Sequence, residues 1–255
     1  MPPRIVTVAA TKGGVGKTTL AYELAAALGG VLVDLDWDSG GATRRWGFDP
    51  MARRRAPLLD ALEDAPDGRP PHAYRRRGHP DLVPSHPGLS EAADGALDHG
   101  VVADALGTWA EGWSRPWVVV DTHPGINSIT VGALQAADLI VVPAVLAPSE
   151  LDALEGMLGD LSGGGYRLLV TINKLPAAPP RRLLARLEAI LAAAGPDYAG
   201  GADLVVGPAV SLHTWIDRRA RRSARVLQPA PGRRTEAAAG EFARLADAVR
   251  GATRG

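Results

Sequence analysis

Near its start the chain reads Thr11-Lys12-Gly13-Gly14-Val15-Gly16-Lys17-Thr18-Thr19, the spacing of a phosphate-binding loop. Gly13, Gly14 and Gly16, with Val15 between them, let successive backbone N–H groups turn inward around an anion. Lys17 is placed to reach the β- and γ-phosphates of a nucleotide. Thr18 can offer its hydroxyl to Mg²⁺, and a helix opening at Thr18-Thr19 aims its positive end at the same phosphates. A glycine turn in an unrelated fold would not need Lys-Thr-Thr here. The chemistry expected is nucleoside triphosphate binding.

Lysine usage narrows the reading. The chain holds 28 lysines and arginines, yet lysine occurs only at positions 12, 17 and 174. A lysine ammonium is a compact charge on a thin stem, which a planar guanidinium cannot copy inside a tight loop. For Lys174 the other reading is compositional chance.

Carboxylates and polar groups follow at strand-like segments. Val33-Asp34-Leu35-Asp36-Trp37-Asp38 ends one apolar run, and Trp117-Val118-Val119-Val120-Asp121-Thr122-His123-Pro124-Gly125 ends another. Open α/β sheets bind ligands at the carboxyl ends of their strands, so Asp34, Asp36 and Asp121 should face the phosphates. Four apolar residues deliver Asp121 to a position where it can hold a magnesium-bound water. His123 is tempting as a base, but the neighbouring chemistry needs none. Acidic residues after a strand can also simply cap the next element.

The elements that position these groups alternate along the chain. Strand-like runs lie at 5–9, 31–35, 82–83, 117–120, 139–142, 168–172 and 204–206. Helical patterns lie at 18–28, 101–111, 129–135, 150–161, 181–194, 213–225 and 235–249. This alternation predicts an α/β fold, a mainly parallel central sheet flanked by helices on both faces. The continuous apolar runs at 118–120 and 139–142 predict central strands buried on both sides. At 255 residues with 46% hydrophobic content, one domain over 1–255 is expected. The proline- and arginine-rich stretch 65–80 reads as a surface loop. The absence of cysteine excludes disulfides and thiolate-held clusters. No apolar run approaches a membrane span and Met-Pro-Pro-Arg is no signal peptide, so a cytoplasmic location is expected.

Residues 12–19 resemble the deviant Walker A loop of the ParA/MinD family of ATPases. The resemblance implies a P-loop NTPase using ATP and Mg²⁺, forming a homodimer in the ATP state with Lys12 acting across the interface on the partner's nucleotide. Segment 34–38 is similar to the family's first switch. By that likeness Asp36 positions or activates the attacking water and Asp34 supports the magnesium shell with Thr18 and Asp121. Trp37 stands where proline is usual, Asp38 where glutamine is usual, and His123 where proline or a small residue is commoner. Thr171-Ile172-Asn173-Lys174 looks like the adenine-contacting segment, Asn173 being able both to donate to and accept from the base. Pro208 ends the last strand where the family places base-contacting backbone.

The C-terminal third suggests the downstream use. From Trp215 to Arg234 there are seven arginines against one acid, Asp217. Arg218, Arg221, Arg222 and Arg225 fall on one helical face, with Arg219 beside them. Such a patch would bind DNA without sequence preference and in a salt-sensitive way. The other reading is a solvated arginine face. The apolar stripe at 242, 245, 246 and 249 is narrow and should dock on the core rather than on a membrane. Resemblance then implies a partition ATPase that segregates plasmid or chromosome DNA with a ParB-like centromere-binding protein, nucleoid-associated when ATP-bound. The alternatives are a cargo-positioning ATPase of the same family and a metabolic ATP-dependent ligase-type enzyme.

Overall fold

A computed structural model describes residues 2–38, 41–49, 57–63, 68–201, 203–216 and 233–253. Seven strands form one sheet: β1 (Arg4–Val8), β2 (Val31–Asp34), β3 (Asp81–Val83), β4 (Trp117–Asp121), β5 (Leu139–Ala144), β6 (Leu168–Ile172) and β7 (Leu204–Val206). They lie in the order β3-β2-β4-β1-β5-β6-β7, and every pairing is parallel. Parallel neighbours need long crossovers, which the helices supply. These are α1 (Lys17–Leu28), α2 (Ala42–Trp46), α3 (Pro57–Glu63), α4 (Leu89–Glu91), α5 (His99–Gly112), α6 (Ser128–Gln135), α7 (Pro148–Leu161), α8 (Arg181–Ala194) and α9 (Arg233–Ala252).

Strand alternation divides the core between the two faces. Val6, Val8, Val119, Val141 and Leu169 face α1 and α9. Ile5, Val118 and Val120 face α5 and α6. Ile140, Val142, Leu168 and Val170 face α7 and α8. β5 is buried along its whole length, as its unbroken apolar run requires. The stripe of α9 is covered too: Phe242, Leu245, Ala246 and Val249 are each at most 1% exposed. Among the described residues no helix is long and apolar enough to cross a membrane.

The sheet sets the geometry of the site. β1 lies centrally between β4 and β5, so the loop leaving it emerges among the other strand ends. β2 and β4 pair so that Asp34 lies opposite Asp121 in register. Part of the stretch expected as a surface loop is packed instead. Tyr74 bridges to Leu82 antiparallel to β3, and the Trp113 indole donates to the Pro71 carbonyl at 2.9 Å. The expected helix at 213–225 is described only as far as Ile216.

Candidate nucleotide site

The glycine loop runs directly into α1. Gly16 caps that helix with φ 97° and no side-chain hydrogen bond, so the first N–H groups of α1 are left for an anion. Glycine is required there twice over. The backbone is left-handed, and a Cβ would lie 2.3 Å from the Asn173 amide.

Lys17 is 5% exposed and donates to the Lys12 carbonyl at 3.1 Å. Burial pulls its ammonium below the ordinary lysine value, and the carboxylates of Asp121 and Asp36 work against that. Asp121 is fully buried at the end of β4, and neither carboxylate oxygen has a hydrogen-bond partner among the described residues. Burial first, then Asp34 and Asp36, push its pKa well above the ordinary value. The Thr18 hydroxyl and Lys17 close by favour the charged form. A buried carboxylate with both oxygens unpartnered is costly unless a cation meets it. Thr18 and Asp121 therefore fit a hard, oxygen-loving cation such as Mg²⁺.

The other two aspartates are placed differently from one another. Asp34 Oδ2 accepts from the N–H and the hydroxyl of Thr43, each at 2.6 Å, and its Oδ1 accepts from the Asp36 N–H at 3.1 Å. This carboxylate shapes the loop between β2 and α2. Asp36 is 9% exposed and near Lys17, and its Oδ1 accepts from the Asp38 N–H at 3.1 Å. Burial raises its pKa, with the Asp38 N–H and His123 opposing.

Beneath that loop α2 is tied to α1. Arg45 donates to the Thr19 hydroxyl and to Glu23, both at 2.9 Å, and its guanidinium lies over the Tyr22 ring. Arg45 and Glu23 are both buried. The sequence offered no signal for this pair, which joins residues 22 apart through tertiary packing.

From the other side the end of β6 braces the loop. The Asn173 amide donates to the Val15 carbonyl at 2.7 Å and Lys174 Nζ donates to the Gly14 carbonyl at 2.8 Å. All the chain's lysines therefore converge on this loop, their rarity being the one trace visible in the sequence. Asn173 also lines a cleft with Gly16, Thr19, Ser211 and His213. Its far wall is held by Glu241 of α9, which accepts from the Ser211 hydroxyl at 2.6 Å and its N–H at 3.0 Å, and lies 2.8 Å from His213 Nε2. Pro208 is not in that cleft wall, and its carbonyl accepts from the Thr171 hydroxyl at 2.6 Å. Lys12 is half-buried and lines a neighbouring groove with Glu150 and Met157. Arg218, Arg219, Arg221, Arg222 and Arg225 lie outside the described residues. Of the arginines on α8, Arg186 pairs with Asp152 and Glu155.

A seven-stranded parallel sheet with this loop after its first strand, a buried lysine and an unpartnered strand-end aspartate defines a P-loop nucleotide-binding protein. Residues 3–162 match the AAA domain family. The chain is 34% identical over 194 residues to the chromosome-partitioning ATPase Soj of Thermus thermophilus, covering 71% of this chain and 67% of that one. It is 31% identical over 165 residues to the chromosome partitioning protein ParA of Caulobacter vibrioides, covering 61% and 60%. The Cyanothece McdA(D38A)–ATP complex superposes with a TM-score of 0.71 at 19% identity, covering 98% and 96%. The chain belongs to the ParA/MinD family of P-loop ATPases. Its matches span 65% and 60% of the length of the first curated relatives.

Proposed function

We propose that this chain is an ATP-hydrolysing partition protein. In this reading ATP and Mg²⁺ occupy the cleft at the end of β1, and Lys17 with the N–H groups of residues 13–19 holds the phosphates. Thr18 and Asp121 hold the cation, which neutralises charge on the phosphates when bound. Asp36 orients the attacking water. Asp34 keeps the loop that carries Asp36 in shape, and Asn173 faces the base. The observation that carries the reading is Asp121, a fully buried carboxylate beside Thr18 and Lys17 whose two oxygens have no hydrogen-bond partner among the described residues.

Lys12 then acts on the nucleotide of a second copy. Its ammonium makes no hydrogen bond or ion pair among the described residues, which leaves it available to a partner. The ATP-bound dimer binds DNA without sequence preference through Arg218, Arg219, Arg221, Arg222 and Arg225, and a ParB-like protein on the cargo stimulates hydrolysis and release. The location in this reading is the cytoplasm, on the nucleoid while ATP is bound.

The test is binding to a random-sequence duplex with ATP, ADP or no nucleotide, across a salt series, for wild type and Lys12→Ala. Binding only with ATP, weakened by salt and lost in the variant, is the expected result. A protein that ignores DNA under every nucleotide is not a partition ATPase of this kind.

A further inference from the structure

Trp37, Asp38 and His123 come from two different loops, and the fold brings them together. The indole of Trp37 and the imidazole of His123 stack with ring centroids 3.9 Å apart and planes 6° from parallel. His123 Nε2 lies 3.4 Å from Asp38 Oδ2. The backbone N–H of Asp38 is in turn the donor that holds Asp36 Oδ1. Trp37 also packs against the core formed by β2, β4 and α5. The residue between Asp36 and Asp38 is thus in contact with both the core and His123. The loop after β2 and the loop after β4 are clasped at the point where Asp36 is aimed.

The same groups make a poor metal centre. A histidine ligand ordinarily donates its second ring N–H to an oxygen, which fixes the tautomer. His123 Nδ1 is buried with no partner among the described residues. What the imidazole does have is a face stacked on Trp37.

We infer that Trp37 and His123 are positioning residues for hydrolysis, whose stack holds the Asp38 N–H and through it the Asp36 carboxylate in the productive orientation. An aromatic stack contributes about 0.5–1.5 kcal/mol beyond burial, enough to change the fraction of time a loop is correctly set by about twofold to tenfold while leaving the fold intact. The contact touches no phosphate-binding group, so substrate affinity should be spared. This inference rests on Asp36 being the water-orienting carboxylate.

The experiment measures steady-state hydrolysis and tryptophan emission together, on the full chain. His123→Ala is expected to lower kcat about twofold to tenfold with the KM for ATP within twofold, and His123→Phe, which keeps a ring against the indole, to recover most of it. Trp37 emission, isolated by subtracting the spectrum of Trp37→Phe, should change in His123→Ala and return toward wild type in His123→Phe. An unchanged kcat in His123→Ala alongside an inactive Asp36→Asn overturns the inference and leaves the reading of Asp36 standing. Normal hydrolysis by Asp36→Asn overturns both. Trp37 emission indifferent to residue 123 removes the stack itself, whatever the kinetics.

Discussion

Lys174 Nζ reaches the Gly14 carbonyl at 2.8 Å, closing a contact between residues 160 apart in the chain. Lys174 holds a left-handed backbone, φ 56°, in doing so. A non-glycine residue in that region is strained by about 1–3 kcal/mol and persists only where its surroundings demand it. Together with Asn173 on Val15, the contact fixes the carbonyls of the loop so that its N–H groups stay turned to the opposite side.

Removing that brace should loosen the loop without unfolding the protein. Lys174→Ala is expected to weaken ATP affinity about threefold to tenfold, the worth of one net hydrogen bond. Lys174→Gly should lose the same affinity yet melt higher than Lys174→Ala, because glycine adopts φ 56° without strain. Titration with a fluorescent ATP analogue and thermal melts of both variants check this.

Asp121 sets a pH dependence. Its pKa is raised in the folded state by burial and by Asp34 and Asp36, so the folded protein binds the proton more tightly than the unfolded chain. Stability of the nucleotide-free protein should therefore fall as pH rises from the ordinary aspartate value of 3.8 through the raised one. Asp121→Asn should flatten that slope, raise the stability of the nucleotide-free protein by about 1–3 kcal/mol, and abolish the extra stabilisation by Mg²⁺ with ATP. Chemical denaturation at several pH values, with and without Mg²⁺ and ATP, measures all of these.

Glu241 has the opposite sign. Burial alone would raise its pKa, but the Ser211 hydroxyl, the Ser211 N–H and His213 outweigh it and hold Glu241 below the ordinary glutamate value. Its contribution is complete above 4.5 and is lost as pH falls through the lowered value. Glu241→Ala should cost about 1.5–3 kcal/mol, as expected for losing hydrogen bonds to a charged group. Hydrogen exchange should show faster exchange at Ser211 and Leu212 well before the sheet opens.

The buried Arg45–Glu23 pair gives a mutational contrast. Glu23→Ala leaves a buried guanidinium without its carboxylate and should cost about 3–5 kcal/mol, while Arg45→Met with Glu23→Leu should lie much closer to wild type in stability. The double variant also loses the hydrogen bond to Thr19, so its nucleotide affinity should fall although its fold is retained. Denaturant midpoints paired with ATP titrations separate the two effects.

Much of this architecture was readable because it is local. Each of the seven strands is an apolar run interrupted by turn residues, and α8 occupies the stretch its periodicity marks, Arg181–Ala194. The phosphate loop was legible for the same reason: its glycines, lysine and hydroxyl are contiguous, and Asp121 is announced by the apolar residues ahead of it. The short helix α2 was not, since its five residues are set by Thr43 on Asp34 and Arg45 on Glu23, contacts 9 and 22 residues apart that no hydrophobic period marks. The likeness of 34–38 to the family's first switch assigns Asp34 to the magnesium shell, and the hydrogen bonds its Oδ2 accepts from Thr43 lie outside that segment. The stretch 65–80 read as loop by composition, whereas Trp113 and Leu82 recruit Pro71 and Tyr74 to the protein's side.

The gathering of Lys12, Lys17 and Lys174 around one loop gives amine chemistry an unusual meaning in this protein. Reagents that elsewhere decorate a whole surface would here have lysine targets only at the nucleotide cleft. Reductive methylation with ¹³C-formaldehyde would thus yield a lysine spectrum of three signals, each from the site itself, and show which ammonium senses nucleotide, cation or a second subunit.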